Sequence, residues 1–111
     1  MAIDKNDEIS GGAATKSVKK VLTANNASAS VSCTKGHNAF LGTNAAVTFN
    51  FPDKSVTADQ TVVSIFSQAA VATPTFASTG ATFVGAPTTI TASVPFSFIY
   101  DSATSQWLRY T

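Results

Sequence analysis

The sequence predicts an all-β fold, a β-sandwich or jelly-roll-like antiparallel module behind a flexible N-terminal arm. Three observations lead there. From Ser17 onward the chain favours Val, Thr, Phe, Ile and Tyr, residue types that suit a pleated, half-buried surface. Helix formers such as Leu, Glu and Lys are scarce over the same stretch. Two segments, Val47-Thr48-Phe49-Asn50-Phe51 and Phe96-Ser97-Phe98-Ile99-Tyr100, alternate with period two and put aromatic or β-branched side chains on one face.

Taken in order, residues 1–16 are polar, contain Gly11-Gly12 and show neither helical nor strand periodicity, which reads as the flexible arm. Residues 17–111 form the domain, since 111 residues fit one domain and one core. Besides the two alternating segments, shorter strands are expected at Val18–Thr23, Ala29–Thr34, Thr61–Phe66, Thr82–Val84, Thr88–Thr91 and Gln106–Tyr110, each bounded by Asn, Gly, Pro or Asp. Thr79-Gly80 and Val84-Gly85-Ala86-Pro87 read as tight turns. Asp101-Ser102-Ala103-Thr104-Ser105 reads as a hairpin loop, with Asp101 placed to bond the turn backbone. No internal repeat is visible in this pattern.

Charge is sparse and uneven. Charged residues are 12% of the chain with a formal net charge of +1, about half the roughly 25% usual for a soluble domain. Seven of them (Asp4, Lys5, Asp7, Glu8, Lys16, Lys19 and Lys20) fall in the first twenty residues, while Gln60–Tyr100 has no Asp, Glu, Lys or Arg. Ser, Thr, Pro and Gly interrupt that neutral stretch, so it holds no apolar run of the roughly 18 residues that a spanning helix needs. An uncharged stretch this long points to surface that another chain covers. The Lys19-Lys20 pair with Lys16 is too small a footprint for nucleic acid, and Met1–Glu8 lacks the basic and apolar regions of a secretory signal.

The chemistry-bearing residues are few. His37 is the only imidazole, and it sits in Cys33-Thr34-Lys35-Gly36-His37-Asn38, which reads as a surface loop; Cys33, the lone cysteine, reads as a buried structural thiol. A Cys33 and His37 dyad has no family-type signature around it, and zinc would need four ligands where the chain supplies no second Cys or His. Asp4, Asn6 and Glu8 have the opening spacing of a calcium loop, but Ile9 stands where its Gly belongs. Asn26-Ala27-Ser28 fits the glycosylation pattern by chance, and Thr73-Pro74-Thr75 does not recur as an ice-ordering array would. No catalytic constellation, cofactor cradle or metal site is expected, so the chain reads as non-enzymatic.

The order of features from Val18 to Tyr110 resembles a small β module of bacteriophage virion proteins, of the head decoration (cement) and tail-fibre type. The resemblance is carried by Val21-Leu22-Thr23, by Ala45–Pro52, by Thr61–Phe66, and above all by Phe98-Ile99-Tyr100-Asp101 followed by Gln106-Trp107-Leu108. It implies a trimeric β-sandwich or jelly-roll-like protein on the virion surface, bound to the major capsid protein and stabilising the shell. Under it, Lys5, Lys16, Lys19 and Lys20 would dock on the capsid, while Phe76, Phe83, Phe96, Phe98 and Trp107 would fill the core or the subunit interface. The alternative it implies is a receptor-binding or structural module of a tail fibre or adhesin, with Tyr100, Trp107 or Tyr110 stacked on a sugar. Neither reading involves nucleic acid, a membrane or a cofactor.

Overall fold

Nine strands and almost no helix make up the computed structural model, which describes residues 19–23 and 28–111. The strands are β1 (Lys19–Leu22), β2 (Ser28–Ser32), β3 (Gly36–Phe40), β4 (Ala46–Asn50), β5 (Val62–Ser67), β6 (Thr73–Ala77), β7 (Thr82–Val84), β8 (Phe96–Asp101) and β9 (Gln106–Arg109). The N-terminal arm and its Lys5 and Lys16 lie outside the described residues. Lys19 and Lys20, grouped with the charged N-terminal residues by their sequence, open β1 instead.

The strands form a six-stranded sheet ordered β1-β3-β5-β8-β9-β7 and a three-stranded sheet ordered β2-β4-β6. The antiparallel expectation does not hold. β1 with β3, β3 with β5, β2 with β4, β4 with β6 and β7 with β9 all pair parallel, and only β5 with β8 and β8 with β9 run antiparallel. Parallel neighbours need a crossover between them. For β1 to β6 each crossover passes through the opposite sheet, so β1, β3 and β5 fall in one sheet and β2, β4 and β6 in the other, while β7 reaches its parallel neighbour β9 by way of β8 in the same sheet.

That alternation carries a repeat the bare sequence hides. Lys19 lies opposite His37 and Ser28 opposite Ala46, eighteen residues on in both sheets. Gly36 lies opposite Val63 and Ala46 opposite Thr73, twenty-seven residues on in both. The longer step comes from the β4–β5 connection, which holds a 3-10 turn at Lys54–Val56 capped by Asp53 Oδ1 accepting from Ser55 N at 2.9 Å. The buried residues Leu22, Ala29, Val31 and Cys33 of the first step are followed, eighteen places on, by buried Phe40, Val47, Phe49 and Phe51. Identity is not conserved between the steps; inward direction and apolar character are, and volume increases toward the middle of the module.

The core lies between the sheets. The Phe40 ring of β3 meets the Phe49 ring of β4 edge-on at 5.7 Å, and Phe51, just after β4, meets Phe98 of β8 at 5.4 Å and Trp107 of β9 at 5.0 Å. Such geometries contribute about 0.5–1.5 kcal/mol per pair beyond area burial. Trp107, fully buried, donates from Nε1 to Ser78 Oγ at 3.1 Å, and Ser78 Oγ donates to the Pro52 carbonyl at 2.7 Å. The polar edge of the indole is thereby satisfied inside an apolar interior.

Three local expectations change. His37 is exposed, as expected, but on strand β3 rather than in a loop, because Gly36 at φ 90° ends the turn one residue earlier. Thr73-Pro74-Thr75 opens β6, where Pro74 is tolerated on an edge strand. Thr88–Thr91 forms no strand; only Ile90 pairs, in a single bridge to Val71. The hairpin at 101–105 is as expected: Asp101 accepts from Thr104 Oγ1 at 2.6 Å and Ala103 N at 3.4 Å.

Candidate functional site

Side chains alternate across the pleat, so the strand that buries Val63, Ile65 and Ser67 turns Val62, Ser64 and Phe66 to the other face of the six-stranded sheet. The same alternation in β8 buries Phe96, Phe98 and Tyr100 and turns Ser97, Ile99 and Asp101 outward. Following the register across the sheet gives three rows on this outer face. Val62, Ile99, Leu108 and Val84 stand side by side on β5, β8, β9 and β7. One pleat along come Lys19, His37, Ser64 and Ser97 on β1, β3, β5 and β8, the two serine hydroxyls hydrogen-bonded at 2.7 Å. Beyond them Val21, Ala39 and Phe66 stand on β1, β3 and β5.

The outer face of a sheet packed on one side is ordinarily polar. This one has two apolar rows with a polar row between them. Val84 is 45% exposed, Val21 53% and Phe66 37%, while Val62, Ile99 and Leu108 are partly exposed. None of the four residues in the first row is charged, and the row spans four strands, about 15 Å at the usual strand spacing.

The interior offers little to catalysis. Cys33 is buried, and burial pushes its thiol up to about 12, against a smaller opposing effect of the Lys20 ammonium. A thiol in that state is a packing group, not a nucleophile. His37, exposed on the outer face, has no hydrogen bond to it among the described residues. No cluster of three metal-ligating side chains occurs among the described residues, and none of their helices is long and apolar enough to cross a membrane. Asn38, nearly fully buried, is structural: its Nδ2 donates to the carbonyls of Thr34, Gly36 and Ser64 and its Oδ1 accepts from Thr34 N.

The expected site residues divide by position. Phe96, Phe98 and Trp107 are buried, and Phe76 and Phe83 are partly buried and packed against the same cluster. These five belong to the interior of the chain. Tyr100 and Trp107, expected as sugar-stacking residues of the alternative reading, are buried and cannot meet a ligand; only Tyr110, 55% exposed, remains available. The neutral stretch Gln60–Tyr100 supplies buried Val63, Ile65, Val71, Ile90, Phe96 and Phe98, so part of its lack of charge serves the chain's own core. The outward apolar rows went unrecognised in the sequence because Val62 and Ile99 alternate with core residues. The signal was present in the second phase of the same period-two pattern.

No family model matches the chain, and no curated protein or solved structure matches it significantly.

Proposed function

We propose that this chain is a non-catalytic structural module of a virion, a head decoration (cement) protein that assembles as a homotrimer, binds the major capsid protein and stabilises the shell. The finer fold in this reading is a β-sandwich whose two sheets share the aromatic interior. The observation that carries the assembly part is the outward row Val62, Ile99, Leu108 and Val84. Its occupant is a second copy of this chain: a row without charge meets no repulsion from its own kind, and covering it removes apolar surface from water at about 25 cal/mol per Å². The virion assignment rests on the resemblance of Phe98–Asp101 and Gln106–Leu108 to phage modules. Stabilisation then follows from mass action, since a protein that binds only the assembled shell raises its resistance to disruption.

Two measurements test this. The mass of the purified chain by sedimentation should be three times the chain mass, and Ile99→Lys with Val84→Lys should return it to one; a wild-type monomer refutes the assembly. Particles stripped of the protein should lose their contents at lower temperature than intact ones and regain resistance on its return. Unchanged resistance together with no binding to empty shells refutes the cement role.

A further inference from the structure

On the half of the outer face away from the row just described, β1, β3 and β5 enclose a groove of about 360 Å³ lined by Lys19, His37, Ala39, Ser64, Phe66 and Pro95. Its size is at the lower end of small-molecule sites, which run from roughly 300 to 1,000 Å³. The register explains its composition. Lys19 and His37 are direct neighbours across β1 and β3, which puts both side chains on one flank of the groove. Ala39 is the small residue between Val21 and Phe66, and its short side chain leaves the floor open. Phe66, 37% exposed, and Pro95, exposed, form the apolar flank. Ser64, whose hydroxyl is bonded to that of Ser97 on β8, also lines the groove. Among the described residues no acidic side chain lines the groove.

The geometry points to a binding site for a pyranose bearing a carboxylate, such as a uronic acid unit of an acidic polysaccharide. Each part of such a sugar has a counterpart here. Its C–H face suits the Phe66 ring, whose face carries partial negative charge and attracts the positive edge of a C–H surface. The carboxylate suits Lys19 and His37, both able to donate charge-assisted hydrogen bonds. The hydroxyls suit Ser64, whose own hydroxyl can both donate and accept. A phosphate alone would leave Phe66 and Pro95 unused.

The test is titration of the full chain with oligogalacturonate, maltotriose, inorganic phosphate and a short single-stranded oligonucleotide, followed by calorimetry and by amide shifts at His37, Ser64 and Phe66. Oligogalacturonate should bind at least about tenfold more tightly than the neutral sugar, and weaken as salt shortens the Debye length. Lys19→Ala should lower its affinity about tenfold, and Phe66→Ala should abolish binding, with Phe66→Leu as a second variant if the alanine form does not fold. Equal binding of neutral and acidic sugar, no binding of either, phosphate or oligonucleotide binding as tightly as the uronate, or unchanged affinity in Lys19→Ala and Phe66→Leu would each overturn the assignment.

Discussion

Replacing Asn38 by Ala should cost far more than an average polar substitution. Its amide closes the β2–β3 turn on itself, through Thr34 N to Oδ1 at 3.0 Å and Nδ2 to the Thr34 carbonyl at 2.8 Å. It also ties β3 to β5, through Nδ2 to the Ser64 carbonyl at 3.1 Å. Removing the side chain leaves these backbone groups without that partner in a site Asn38 itself keeps 2% exposed. Each buried group left unsatisfied costs about 1–3 kcal/mol, but water entering the vacated space will recover part of that, so about 2–4 kcal/mol is expected overall. For a domain of this size each kcal/mol moves the Tm by roughly 4–8 °C, so the Tm should fall by about 8–32 °C. Differential scanning calorimetry at neutral pH measures this directly. A fall of less than about 3 °C would refute the view that this one amide organises the turn and the strand pairing together.

Three further outcomes follow from the same structure. Cys33 should resist thiol reagents in the folded protein; because its folded pKa, about 12, lies above the unfolded thiol value near 8.5, the unfolded chain loses its proton first as pH rises, and stability should decline by up to about 1.4 kcal/mol per pH unit above roughly 8.5, a slope that Cys33→Ala removes. Trp107→Phe loses the bond to Ser78 Oγ and some core volume and should cost about 2–4 kcal/mol in denaturant titration, while wild-type Trp107 emission should be blue-shifted and red-shift on unfolding. Gly80→Ala puts a Cβ 2.9 Å from the Lys54 stem at φ 81°; the lysine can swing away, so the left-handed backbone sets the cost at about 1–2 kcal/mol by thermal melting.

Elements whose signal is local were legible. The alternation in Val47–Phe51 and Phe96–Tyr100 became β4 and β8, and the Asp101 turn formed the hydrogen bonds its chemistry suggests. β3 and β6 carry no such local signal: Gly36-His37-Asn38 has turn composition, and Pro74 argues against a strand unless it falls on an edge. Thr88–Thr91 has strand composition but no neighbour along most of its length, and composition without a partner does not make a strand.

The neutral stretch and the abundance of Val, Thr and Phe determined, from sequence alone, that this chain builds β-structure with an aromatic interior. They could not determine strand direction, because period-two alternation is the same in parallel and antiparallel pairs; direction depends on where each connection leads. Routing the connections among β1 to β6 through the opposite sheet makes the pairs β1–β3, β3–β5, β2–β4 and β4–β6 parallel and sets the eighteen-residue step. The candidate surfaces arise at that tertiary level too. Lys19, His37 and Ser64 are far apart in sequence and carry no motif, and only the strand register places them in one row on one face.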